Sequence, residues 1–105
     1  MPAVPDGHSM FVVDLHYVVS LDRVDAVISD HVEFLKRNYA SETFLASGRK
    51  VPRTGGIIIA IAENRGKLDA ILRQDPFQQM GLARYTVTEF IPSMLAHQLD
   101  QLSLR

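Results

Sequence analysis

The chain has 105 residues, 47% hydrophobic and 22% charged, with a net charge of −1 when histidine is neutral. That balance suits one globular domain and excludes a disordered chain, a second domain, and a basic footprint for nucleic acid or an anionic membrane. With no cysteine in the sequence, disulfides, thiolate zinc sites, iron–sulfur clusters and cysteine nucleophiles are excluded too.

No run of about 18 apolar residues occurs, so no membrane-spanning helix is expected. The opening "MPAVPDGHSM" lacks the basic start and long apolar core of a secretory signal, and a cytoplasmic location is the expectation. Residues 1–9, with two prolines and a glycine, read as a flexible lead-in to a single domain over 10–105. "MFVVDLHYVV" (10–19) is rich in β-branched and aromatic residues and reads as a strand. One of its faces, Phe11, Val13, Leu15, Tyr17 and Val19, is wholly apolar or aromatic. The other, Val12, Asp14, His16 and Val18, is mixed.

"LDRVDAVISDHVEFLKRNYASE" (21–42) predicts a helix, because Val24, Val27, Ile28, His31, Phe34 and Leu35 follow the three-and-four spacing of one face. Ser20 or Asp22 is placed to cap it. "TFLASGR" (43–49) reads as a strand and "KVPRTGG" (50–56) as a turn segment. "IIIAIA" (57–62) is a strand apolar on both faces, so both faces should be covered. "NRGKLDAILRQ" (64–74) is a second helix with Asn64 as N-cap, and Pro76 disfavours helical geometry at Asp75. "DPFQQMGLA" (75–83) reads as a connecting loop and "RYTVTEFI" (84–91) as a fourth strand. A terminal helix is expected over about 93–104, with Leu95, Leu99 and Leu102 on one side.

The order β-α-β-β-α-β is the ferredoxin-like split pattern: a four-stranded antiparallel sheet with two helices on one face. Two helices leave the other face of the sheet open, yet strand 57–62 has no polar face. That face should meet a second copy, giving a homodimer packed sheet to sheet, or a higher assembly built from it.

His31 stands four residues after Val27 and four before Leu35, on the stripe meant for the core. Spacing alone leaves two readings. It is a packed histidine whose ring nitrogen finds a backbone carbonyl, or a general acid/base looking into a cavity between helix and sheet. Asp75 is a second oddity. A carboxylate just past a helix C-terminus faces the negative end of the helix dipole, unless Asp-Pro is there simply to start a turn. A hydrogen bond from His31 to Asp75 would resolve both oddities together and fix the tautomer of the ring.

In "SGRKVPRTGG", Arg49 and Arg53 are either solvated charges or grips for a carboxylate or phenolate. Asp14 and His16 share a strand face and form a candidate polar pair, for the site or for an interface. Tyr17 or Tyr85 is expected to line the pocket. Ser47 carries no marker of an activated nucleophile. Arg49, Arg53, Ser47, His16 and Tyr17 are the candidate substrate-binding residues. No metal site is expected, since the histidines are scattered and no His-x-x-x-His pair occurs. A phosphate-binding glycine loop and a G-x-S-x-G elbow are also absent.

These pieces together resemble the YCII-related (YciI-like) family over roughly residues 10–92. The likeness lies in a helix carrying His31 followed by "FL", in "FLASG", in "GG" before the apolar third strand, and in "DPF…GL" ahead of the fourth. The resemblance implies a ferredoxin-like fold that dimerises into an α+β barrel. It also implies an active-site pair at His31 and Asp75. No cofactor is expected, since no residue stands out as an axial ligand for a haem. The implied chemistry is of lyase, isomerase or dehydrochlorinase type on a small cyclic or aromatic compound. Where the family often has Ser-Gly-Pro this chain has Ser47-Gly48-Arg49, which points to an anionic ligand. Against this enzyme stand two other expectations from the same residues. One is a module that binds a small aromatic molecule without turnover. The other is a dimeric scaffold with no enclosed cavity beside His31.

Overall fold

The computed structural model describes residues 7–102. Residues 1–6 of the lead-in, and 103 and 104 of the expected terminal helix, lie outside the described residues. Four strands form one antiparallel sheet: β1 (Ser9–Tyr17), β2 (Phe44–Arg49), β3 (Gly55–Ala62) and β4 (Ala83–Phe90). Their order is β2-β3-β1-β4, so β1 lies in the interior, between β3 and β4. Helices α1 (Leu21–Asp25), α2 (Ile28–Ala40), α3 (Arg65–Leu72) and α4 (Pro76–Gln79) pack on one face, and α5 (His97–Leu102) follows β4.

The pleat decides what the helices meet. In β1, Phe11, Val13 and Leu15 are buried against them, and across the ladder Ala60 opposes Phe11 while Ile58 opposes Val13. Phe34 of α2, Leu68 and Leu72 of α3, and Phe77 of α4 complete this core. Phe11, Phe34 and Phe77 are essentially fully buried, and each such side chain stabilises the fold by about 1.5–3 kcal/mol. On the opposite face Val12, Ile57, Ile59 and Ile61 are only half-buried. Gly55 opens β3 because nothing larger fits: a Cβ there would lie 1.7 Å from the carbonyl oxygen of Leu15.

Several expected boundaries change for local reasons. The helix expected over 21–42 is two helices, interrupted where Val27 adopts φ −117° and ψ 0°. The Val27 amide bonds to Val24 O, one residue short of the α-helical partner, a tightened turn at two β-branched residues that hold a helix poorly. The connection expected over 75–83 contains α4, with Asp75 as its N-cap and Pro76 in its first turn. Pro76 is therefore a start signal as well as a stop. The terminal helix begins only at His97, after irregular backbone over 91–96 with a bend at Ser93. Asn64 caps α3 as expected, accepting a hydrogen bond from the Lys67 amide at 2.9 Å.

Candidate functional site

His31 and Asp75 meet beneath α2. The Nδ1 of His31 lies 2.8 Å from Oδ1 of Asp75, across 44 residues of chain. Both side chains are buried, His31 at 8% exposure and Asp75 at 0%. The placement of Asp75 corrects the expectation of an unfavourable dipole. It stands three residues past the end of α3 and at the N-terminus of α4, where its Oδ1 accepts the Phe77 amide at 3.0 Å. A carboxylate at that end of a helix is favoured.

A third donor completes the cluster. The hydroxyl of Tyr85, on β4, lies 2.5 Å from Oδ2 of Asp75. Three donors thus converge on one buried carboxyl group: a ring nitrogen, a backbone amide and a phenol. As a carboxylate, Asp75 accepts from all three. Burial first, and then the charge of Asp75, hold the Tyr85 phenol far above its ordinary range, so it stays a donor. With Nδ1 donating to Asp75, a neutral His31 keeps its lone pair on Nε2, which has no protein partner among the described residues. The ring is held flat against Phe77, with centroids 4.0 Å apart and planes within 4°.

A cavity of about 340 Å³ opens beside this ring, between α2 and the sheet. His31, Phe77, Tyr17, Ser47, Arg49 and Arg53 contribute to its wall, together with aliphatic side chains. Tyr17 meets Phe77 edge to face at 6.0 Å. The two arginines differ. Arg53 donates to Asp25 of α1 through both terminal nitrogens of its guanidinium, and that hydrogen bond is the main reason the Asp25 carboxyl is held below its ordinary range. Arg49 is exposed, and no carboxylate pairs with it among the described residues. The Ser47 hydroxyl shares a hydrogen bond with the Tyr39 hydroxyl at 2.7 Å.

His16 does not join this group. It is exposed and lies on the other face of the sheet, between Gly55 of β3 and Arg84 of β4. Its expected partner, Asp14, pairs instead with Lys50. Strand alternation carries the reason: His16 and Tyr17 are neighbours in β1 and so point to opposite faces. Among the described residues no three potential metal-ligating side chains cluster.

Two residues of the site were not singled out from the sequence for the roles they take. Phe77 walls the cavity and stacks on the imidazole. Tyr85 was expected only as a pocket-lining residue, and it does not line the cavity beside His31. The available signal was its place on β4. Tyr85 stands opposite Leu15 in the ladder, on the face turned to the helices, where a tyrosine hydroxyl needs a buried partner.

The sequence pattern of the YCII-related domain matches residues 10–91. No curated protein matches the chain. Among solved structures, the chain is similar to the 5-chloro-2-hydroxyhydroquinone dehydrochlorinase TftG from Burkholderia phenoliruptrix AC1100, solved in complex with 2,5-dihydroxybenzoquinone. The TM-score is 0.68 at 20% identity, over 77% of this chain and 92% of that one. It is also similar to SnoaB, a cofactor-independent oxygenase from Streptomyces nogalater. There the TM-score is 0.50 at 13% identity, over 87% of this chain and 98% of that one. At these identities the likeness is one of fold: a four-stranded antiparallel sheet with helices on one face.

Proposed function

The chain belongs to the YCII-related domain family, and from that premise we propose that it is a cofactor-free enzyme moving protons on a small cyclic or aromatic anion. The observation that carries this reading is the contact of His31 Nδ1 with buried Asp75 at 2.8 Å, beside a cavity. Asp75 orients the imidazole and stabilises the imidazolium that forms when the ring takes a proton. His31 Nε2 is the base. It removes a proton from a ring carbon or hydroxyl of the ligand. The freed electron pair then either shifts a double bond, with the proton returned elsewhere, or expels a leaving group such as chloride.

The cavity suits a single-ring compound. Aliphatic and aromatic side chains take its faces, and Arg49 supplies a cation for an anionic oxygen. Arg53 serves the same oxygen only by sharing its guanidinium with Asp25. Of the structural neighbours named above, TftG is a dehydrochlorinase of a chlorinated hydroxyhydroquinone solved with 2,5-dihydroxybenzoquinone, and SnoaB is named as a cofactor-independent oxygenase. A cytoplasmic location belongs to the same proposal and accords with a chain free of cysteine.

The test is a panel of hydroxyquinones, chlorinated phenols and lactones, followed by absorbance and mass spectrometry. A product formed by proton transfer or elimination is the expected result. Compounds that bind and return unchanged after prolonged incubation would make the protein a carrier. Binding of 2,5-dihydroxybenzoquinone, followed by calorimetry, should weaken about fivefold in Arg49→Ala, the scale of one partly exposed charge contact.

The half-buried apolar face of the sheet, with Val12, Ile57, Ile59 and Ile61, is proposed to pack against the same face of a second copy. Light scattering at micromolar concentration should give twice the chain mass of 11.8 kDa. A mass of one chain removes the dimer.

A further inference from the structure

Of the cluster built on Asp75, His31 and Phe77 line the cavity, and Asp75 and Tyr85 do not. Tyr85 lies behind Asp75, and its ring forms part of a separate cleft of about 280 Å³ with Arg73 and Gln78.

We infer that Tyr85 is a positioning residue, which holds Asp75 with Oδ1 turned to His31 and thereby sets which ring nitrogen carries the proton. The inference rests on the His31–Asp75 reading above. A carboxylate can turn about its Cβ–Cγ bond, and the direction it faces is decided by its donors. Oδ1 has two, the His31 ring and the Phe77 amide. Oδ2 has the Tyr85 hydroxyl. Asp75 is fully buried, so without Tyr85 that oxygen would be left unpaired away from water. The carboxylate relieves this by turning that oxygen toward the remaining donors, the His31 ring and the Phe77 amide, and the turn takes Oδ1 away from His31 and weakens it as the acceptor for the ring. The Nδ1–H form of the ring then loses its advantage, and Nε2 is no longer reserved as the base.

Tyr85→Phe removes one oxygen and leaves the lining of the cavity beside His31 unchanged, because Tyr85 is not part of it. The experiment is ¹⁵N nitrogen–proton correlation NMR of the histidine rings at a pH where His31 is neutral, with His31→Gln assigning the signal. Wild-type His31 should be the Nδ1–H tautomer. In Tyr85→Phe the ratio of Nδ1–H to Nε2–H should fall by about tenfold, the factor that a hydrogen bond to a charged group is worth. Backbone amide shifts away from the site should stay in place. A merely structural tyrosine would lower stability and leave the tautomer alone, so a ratio unchanged within twofold overturns the proposal.

A second measurement needs no variant. The Tyr85 hydroxyl proton in the wild type should exchange slowly enough to give a resolved resonance, and fast exchange with water also overturns the proposal. Neither readout depends on turnover. A wild-type ring without the Nδ1–H tautomer removes the His31–Asp75 reading itself. An unchanged ratio in Tyr85→Phe, with the wild type as expected, removes only the role of Tyr85.

Discussion

Replacing His31 with glutamine is expected to lower turnover by about 10²–10⁴-fold, the usual contribution of one positioned proton-transfer group. Glutamine has nearly the reach of the imidazole and can still donate a hydrogen bond to Asp75. The fold should therefore survive, and the thermal midpoint should move little. The amide nitrogen of glutamine is not basic, because its lone pair is delocalised into the carbonyl, so it cannot take a proton. The loss should accordingly fall on kcat, with KM changed only a few-fold, since Arg49 and the apolar walls that bind the ring compound remain. Steady-state kinetics on the substrate found in the compound panel make the measurement. Wild-type turnover in this variant would end the acid/base role of His31.

Asp75→Ala should be the most damaging substitution for stability within the site, at about 3–5 kcal/mol. Asp75 is fully buried and accepts from His31, Tyr85 and the Phe77 amide. Alanine strands all three donors, removes the cap of α4 and leaves a small cavity. For a chain of this size the thermal midpoint should fall by at least about 10 °C. Asp75→Asn separates stability from chemistry. Its carbonyl oxygen still accepts from His31 and Phe77, and its amide can donate to the Tyr85 hydroxyl once that rotates. It should cost about 1–2 kcal/mol yet lose the charge that stabilises an imidazolium, so activity should drop far more than stability. Calorimetric melting of both variants, set beside their kinetics, checks this. Equal midpoints for Asp75→Ala and the wild type would mean the three-donor cluster does not form.

Much of this architecture can be read from periodicity. The alternation in 10–17, the uninterrupted apolar run 57–62 and the two helical stripes give the β-α-β-β-α-β order directly. His31 is visible as a polar residue on a stripe built for the core, and Asp75 as a carboxylate beside a proline. That these two oddities meet is a tertiary fact, since α2 and the start of α4 are brought together only when both pack on the same sheet face. The interruption at Val27 is local and modest, and the apolar spacing runs through it without a break. Asp-Pro carries two meanings, the stop of α3 and the start of α4, and only the second explains why the carboxyl group is buried. The assignment of both His16 and Tyr17 to one site conflicts with strand alternation, and of the two only Tyr17 lines the cavity. Tyr85 could be placed on the inner face of β4 from sequence. The identity of its partner depends on where α4 lies, which no spacing rule within β4 contains.

The position of β1 between β3 and β4 has a consequence for synthesis. Of these four strands β1 is made first, and its neighbours follow only with Gly55–Ala62 and then Ala83–Phe90. At ordinary elongation rates the stretch from residue 17 to residue 90 takes about 4–15 s. The edge of β1 that pairs with β4 lacks its native partner for that whole interval, and the edge that pairs with β3 lacks its own until residue 62 is made. The early element able to shield it is α2, whose Phe34 belongs to the same core cluster as Phe11, Val13 and Leu15. β1 therefore has α2 for cover before β3 is made, and a chain stalled at that point exposes an apolar strand with both edges open.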